Sequence, residues 1–129
     1  MRPGLLGADS LCPPAMKTLA DIAVHPGDRA AIEASVRLLR ERFPVERVIL
    51  FGSKARGTDD AESDIDLLIL TREELSWRER DAITDLLFDV ECAHDVVIST
   101  LVVSSKRWSS GPYPVLPIYR EIERYGVAA

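Results

Sequence analysis

Hydrophobic and polar positions along the chain change period several times, and each change marks an element. Ile32, Val36, Leu39 and Phe43 recur every three to four positions, which predicts a helix capped by Asp28 and stopped by Pro44. Residues 45–51 (VERVILF) are β-branched and apolar and run into Gly52 and Ser53, a strand leading to a glycine turn. A polar loop over 54–63 precedes residues 64–70 (DIDLLIL), which become apolar on both faces after Asp66, as in a buried central strand. Ser76 and Glu79 form a capping box that opens a helix with Ile83, Leu86, Leu87 and Val90 on one side. Residues 94–103 (HDVVISTLVV) read as a third strand. A short helix follows from near Pro117 to just before Gly126, with Ile118, Ile122 and Tyr125 inward. The predicted order is α-β-β-α-β-α: an α/β (α+β) fold with a small mixed β-sheet flanked by helices.

Composition narrows the classes this fold can serve. A chain of 129 residues with 47% hydrophobic residues suits one self-sufficient domain and argues against disorder. The net charge of −5 argues against non-specific coating of nucleic acid, which needs clustered Lys and Arg, so no direct nucleic-acid binding is expected. No apolar run reaches the roughly 20 residues that span a bilayer, and the opening MRPGLLG has too short an apolar core for a secretory signal. A cytoplasmic domain is the expectation. Pro3, Pro13, Pro14 and Pro26, with Gly4, Gly7 and Gly27, predict a loose N-terminal arm over residues 1–27, and Met16 offers an alternative start. The domain proper is then 28–129. Cys12 and Cys92 have no metal-ligand spacing, so neither zinc nor a disulfide framework is expected.

Topology predicts where chemistry collects. A short loop between the first two strands favours an antiparallel pair, placing Gly52 and Ser53 beside Asp64 and Asp66. The helix between the second and third strands suits a parallel right-handed crossover, so those strands start at one sheet edge. Asp64 and Asp66, two residues apart, share one face, and Asp95 is expected to join them. Three carboxylates gathered at a strand edge repel one another unless a cation binds them. Oxygen-only donors suit Mg2+, with Mn2+ as the alternative. Two such ions would clamp the oxygens of an in-line phosphoryl or nucleotidyl displacement. Gly52 lets a phosphate approach the backbone, Ser53 adds a hydroxyl and an amide N–H, and Lys54 and Arg56 are nearby cations. A P-loop is excluded because Thr58 and Asp59 stand where it needs Lys and Ser/Thr; an EF-hand is excluded because Leu68 and Leu70 occupy ligand positions.

The run Gly52-Ser53-Lys54-Ala55-Arg56-Gly57, then Ser63-Asp64-Ile65-Asp66-Leu67-Leu68, then Asp95, resembles the nucleotidyltransferase domain of the DNA polymerase beta superfamily, in its minimal nucleotidyltransferase branch. The segment 117–124 (PIYREIER) resembles the end of that branch, so the likeness covers about residues 30–127. It implies a polymerase-beta-type fold and Mg2+-dependent transfer of a nucleoside monophosphate, AMP from ATP, to an acceptor hydroxyl. Carried over, Asp64 and Asp66 hold both metals and the triphosphate. Asp95 holds the catalytic metal and deprotonates the acceptor, Gly52 and Ser53 hold the terminal phosphates, and Arg56 adds charge stabilisation. Members of this branch are often antitoxins paired with a small helical HEPN toxin, and some adenylylate a tyrosine of the toxin. The resemblance thus implies a protein adenylyltransferase with such a partner. Two alternatives stand beside it: a non-catalytic module that neutralises a toxin by binding, and transfer to a small molecule such as an aminoglycoside.

Overall fold

The computed structural model describes residues 16–58 and 63–129. Its centre is a five-stranded mixed sheet in the order β1-β5-β2-β3-β4. The strands are β1 (Lys17–Thr18), β2 (Val45–Phe51), β3 (Ile65–Thr71), β4 (Ile98–Ser104) and β5 (Val127–Ala128). Between them run the helices α1 (Pro26–Arg42), α2 (Ser53–Arg56), α3 (Trp77–His94), α4 (Ser105–Ser110) and α5 (Pro117–Tyr125). Strands β2 and β3 are antiparallel with Phe51 opposite Asp66, as their short connection predicts. Strands β3 and β4 are parallel across the α3 crossover, with Asp66 abreast of Ser99.

Alternation along β3 sorts its side chains into two cores. Ile65, Leu67 and Ile69 face a cluster that includes Ile32 and Leu39 of α1 and Ile83, Leu87 and Val90 of α3. Leu68 and Leu70 face the other side, with Ile49, Val103, Trp108 of α4 and Ile122 of α5. Asp66 shares the parity of Leu68 and therefore lies on the α5 side. Burial on both faces explains why β3 reads as a continuous apolar run. The predicted capping box of α3 is present: Ser76 Oγ accepts from the Glu79 amide at 3.2 Å, and Glu79 Oε1 accepts from the Ser76 amide at 3.0 Å. Helix α5 starts at Pro117 and ends at Tyr125, with Ile122 fully buried but Tyr125 exposed rather than inward. Trp108 stacks obliquely on Tyr113 and Tyr119, whereas Trp77 is 68% exposed.

Three expectations are corrected. Residues 16–27 are not a loose arm. Lys17 and Thr18 pair in parallel with Val127 and Ala128, and the Arg29 guanidinium donates to the carbonyls of Leu19 and Ile22. The strand that orders this segment stands at the far C-terminus, so no local pattern signals it. The earlier part of the predicted arm and Cys12 lie outside the described residues. The third strand begins at Ile98, not at residue 94. Helix α3 continues to His94, and Asp95 ends it in the left-handed conformation at φ 54°, its amide donating to Glu91 O. Asp tolerates that conformation, and the β-branched Val96 and Val97 disguise the helix end as strand. Helix α1 likewise begins at Pro26, ahead of the cap expected at Asp28.

Candidate active site

The antiparallel return of β2 onto β3 delivers the glycine turn directly to the Asp-x-Asp pair. Gly52 sits at φ 76°, ψ −159°, a backbone region open essentially to glycine alone. A methyl group at this position would overlap Asp66 Oδ2 and stand 3.2 Å from Asp66 Cγ. The carboxylate therefore lies flat against bare backbone, and any side chain at position 52 would expel it. Turn and carboxylate form one steric unit.

Asp64 lies at the mouth of the sheet, where its Oδ2 accepts from Ser99 Oγ at 3.3 Å. Asp66 is half-buried, and its carboxyl is pushed above the usual carboxylate range. Loss of hydration is the main cause, followed by the neighbouring charges of Asp64 and Glu121. Glu121 comes from α5 and also holds Arg56, whose Nη1 lies 3.5 Å from Glu121 Oε1 with both side chains partly exposed. Arg56 is thus tethered at the rim of the acidic site. Lys54 does not face solvent: its Nζ is 2.8 Å from Asp28 Oδ2, in the first turn of α1.

Asp95 is not gathered with the Asp64–Asp66 pair. It caps α3 three residues before β4 starts, and no group of three metal-ligating carboxylates, His or Cys forms among the described residues. The β4 position abreast of Asp66 carries Ser99 instead. Ser99 and Glu121 escape sequence reasoning because nothing local marks them. Ser99 becomes identifiable once β4 is known to start at Ile98, and Glu121 only through the packing of α5 on the sheet. A prediction follows for Asp95→Gly. Relieving a left-handed non-glycine residue at a helix end should stabilise the fold by up to about 1 kcal/mol. Nucleotide transfer should stay within about twofold of wild type, where loss of a metal-activating ligand would cost several kcal/mol. Thermal melting and a transfer assay on the same variant check both halves.

The donor set suits a hard divalent cation. Mg2+ binds through one or two carboxylates and completes its shell with substrate phosphates and water rather than an all-protein cage. Asp64 and Asp66 would supply that pair, and the desolvation and repulsion on Asp66 are what a cation would relieve. The Gly52 turn packs directly against the Asp66 carboxylate of that pair.

Comparison with known proteins agrees with this geometry. Residues 32–111 match the family model of the nucleotidyltransferase domain. A Methanocaldococcus jannaschii protein named "Putative protein adenylyltransferase MJ0141" is 36% identical over 83 residues, spanning 64% of this chain and 77% of that protein. Among solved structures, a toxin–antitoxin complex with AMP-PNP superimposes with a TM-score of 0.55 at 19% identity, covering 81% of this chain and 72% of its own. A mutant of the MntA-HpeT toxin–antitoxin gives 0.51 at 22% identity, covering 73% of this chain and 67% of its own. At such identities these two structures speak to the fold. The matched segment contains the glycine turn, both aspartates and the strand pair that joins them, and the chain belongs to the nucleotidyltransferase domain family.

Proposed function

We propose that this nucleotidyltransferase moves AMP from ATP to a hydroxyl of a partner protein, using Mg2+ held by Asp64 and Asp66, as the antitoxin of a HEPN-type toxin. The observation that carries the reading is the contact of the Asp66 carboxylate with the Gly52 turn. It sets the cation ligands beside the backbone turn that would take the phosphates. Bound Mg2+ would offset the charge on the triphosphate as pyrophosphate leaves. Asp64 and Asp66 would hold that cation and the phosphate oxygens around it. Ser99, through its hydrogen bond, would fix the rotamer of Asp64. The Gly52 backbone and Ser53 hydroxyl would orient the terminal phosphates so that the acceptor oxygen meets the α-phosphorus in line with the leaving pyrophosphate. Arg56, released from Glu121, would add positive charge to the leaving group. The curated relative's name supports a protein acceptor, and the toxin–antitoxin neighbours support the partner.

A second reading is a module that neutralises its toxin by binding, with chemistry lost. The specific observation in its favour is Ser99: a hydroxyl abreast of Asp66 is no general base at neutral pH, and Asp95 stands elsewhere. One experiment separates the two. The protein is incubated with α-labelled ATP, Mg2+ and a co-expressed helical partner, alongside the Asp64→Ala/Asp66→Ala variant. Label on the partner with wild type alone supports the transferase. Tight partner binding by both proteins, with no label in either, supports the binder.

A further inference from the structure

Lys54 is 4% exposed, the only charged residue among the described ones that is so fully buried. Its Nζ donates to Asp28 Oδ2 at 2.8 Å, joining positions 26 residues apart. Burying an ion pair costs several kcal/mol of hydration per ion, and replacing such a pair with apolar residues is often neutral or stabilising. Stability alone does not account for it.

The pair's place in the fold suggests what does. It ties the first turn of α1 to α2, the four-residue helix that follows Gly52. Gly52 at φ 76° and Gly57 at φ 74° flank α2, so the chain enters and leaves it through backbone turns that favour glycine. One turn of helix has no cooperative stiffness of its own. Among the described residues, an open cleft of about 410 Å³, lined in part by His25, Pro26, Lys54 and Gly57, lies on the flank of α2. A directional, charge-assisted hydrogen bond can fix the rotation of such an element where packing cannot. We infer that the buried Lys54–Asp28 pair is a positioning device that sets the pitch of α2 and thereby aims the Ser53 hydroxyl and the Gly52 turn at the triphosphate. This rests on the nucleotide-binding reading above.

The test is titration of AMP-PNP with Mg2+ by calorimetry, with the melting temperature followed in parallel. Lys54→Met and Asp28→Asn should each weaken AMP-PNP binding by about ten- to hundredfold, the scale of a misplacement near 1 Å. Lys54→Arg, which preserves the charged hydrogen bond, should stay within about threefold of wild type. Because the single variants leave one charge buried without this partner and lower stability, Lys54→Met/Asp28→Leu is the decisive protein. It should melt at or above the wild-type temperature and still bind AMP-PNP weakly. Wild-type affinity in that stable double variant overturns the inference while leaving nucleotide binding intact. Absence of AMP-PNP binding by wild type overturns the nucleotide reading itself, and the inference with it.

Discussion

Asp66→Asn is expected to abolish nucleotide transfer while making the metal-free fold more stable at neutral pH. The first effect follows from removing the charge that, in the proposed reaction, draws a cation to the turn. A lost metal contact of about 4 kcal/mol in the transition state corresponds to roughly a thousandfold in rate. The second follows from the position of the carboxylate. Asp66 is partly desolvated and faces the charges of Asp64 and Glu121, so its pKa is raised in the folded state above its unfolded value. An acid whose folded pKa is raised contributes stability that is full below the unfolded pKa and is lost as pH rises through the folded one. At pH 7 the wild-type protein has lost that contribution and carries an ionised, repelled carboxylate. Asn removes the repulsion and keeps the shape. Thermal melts from pH 3 to 8 without divalent ions should therefore show the variant ahead at neutral pH and the gap closing in acid. Mg2+ should raise the wild-type midpoint and leave the variant unmoved. An Asp66→Asn protein with wild-type activity, or one destabilised at pH 7, would contradict this account of the site.

Gly52→Ala should lose both stability and activity, and by a different route. Its φ of 76° with ψ of −159° lies where a side-chain-bearing residue is strained by about 1–3 kcal/mol. The added methyl group also overlaps Asp66 Oδ2, so the carboxylate must leave its place against the turn. Chemical denaturation should show a loss of at least about 2 kcal/mol from the two effects together. Transfer should fall by about a hundredfold or more, because the proposed metal ligand and the proposed phosphate turn would be displaced at once. Gly57→Ala is the matched control. That residue, at φ 74° and ψ 19°, is also left-handed, but among the described residues nothing lies within 4 Å of an added methyl group. It should cost about 1–2 kcal/mol of backbone strain and leave Asp66 and the transfer rate in place. Equal losses of activity in the two alanine variants would mean that strain alone, rather than the contact with Asp66, explains the glycine.

These two variants probe the part of the site that was legible in the chain. Gly52, Ser53, Asp64 and Asp66 stand on two strands joined by a short connection, and a hairpin-like return brings them together whatever the rest of the fold does. That half of the site was therefore legible in the chain. The third acid was not. Placing Asp95 requires knowing where α3 stops and β4 starts. Val96 and Val97 satisfy a strand pattern as well as they satisfy the short link that follows a left-handed helix end. A shift of four residues at that boundary replaces an acid with Ser99 beside Asp66.

Local periodicity, capping and turn chemistry by themselves determined the order of the main elements, the antiparallel and parallel pairings of β2, β3 and β4, and the glycine turn with its two aspartates. They could do so because each depends on residues within one or two elements. Only the tertiary structure decided the remaining points. Lys54 is buried against Asp28, Glu121 bears on Asp66 and tethers Arg56, and β1 closes the sheet on β5. Each of these joins residues from 26 to 110 positions apart. Their cause is the packing of α1 and α5 around the sheet, which no short window of sequence contains.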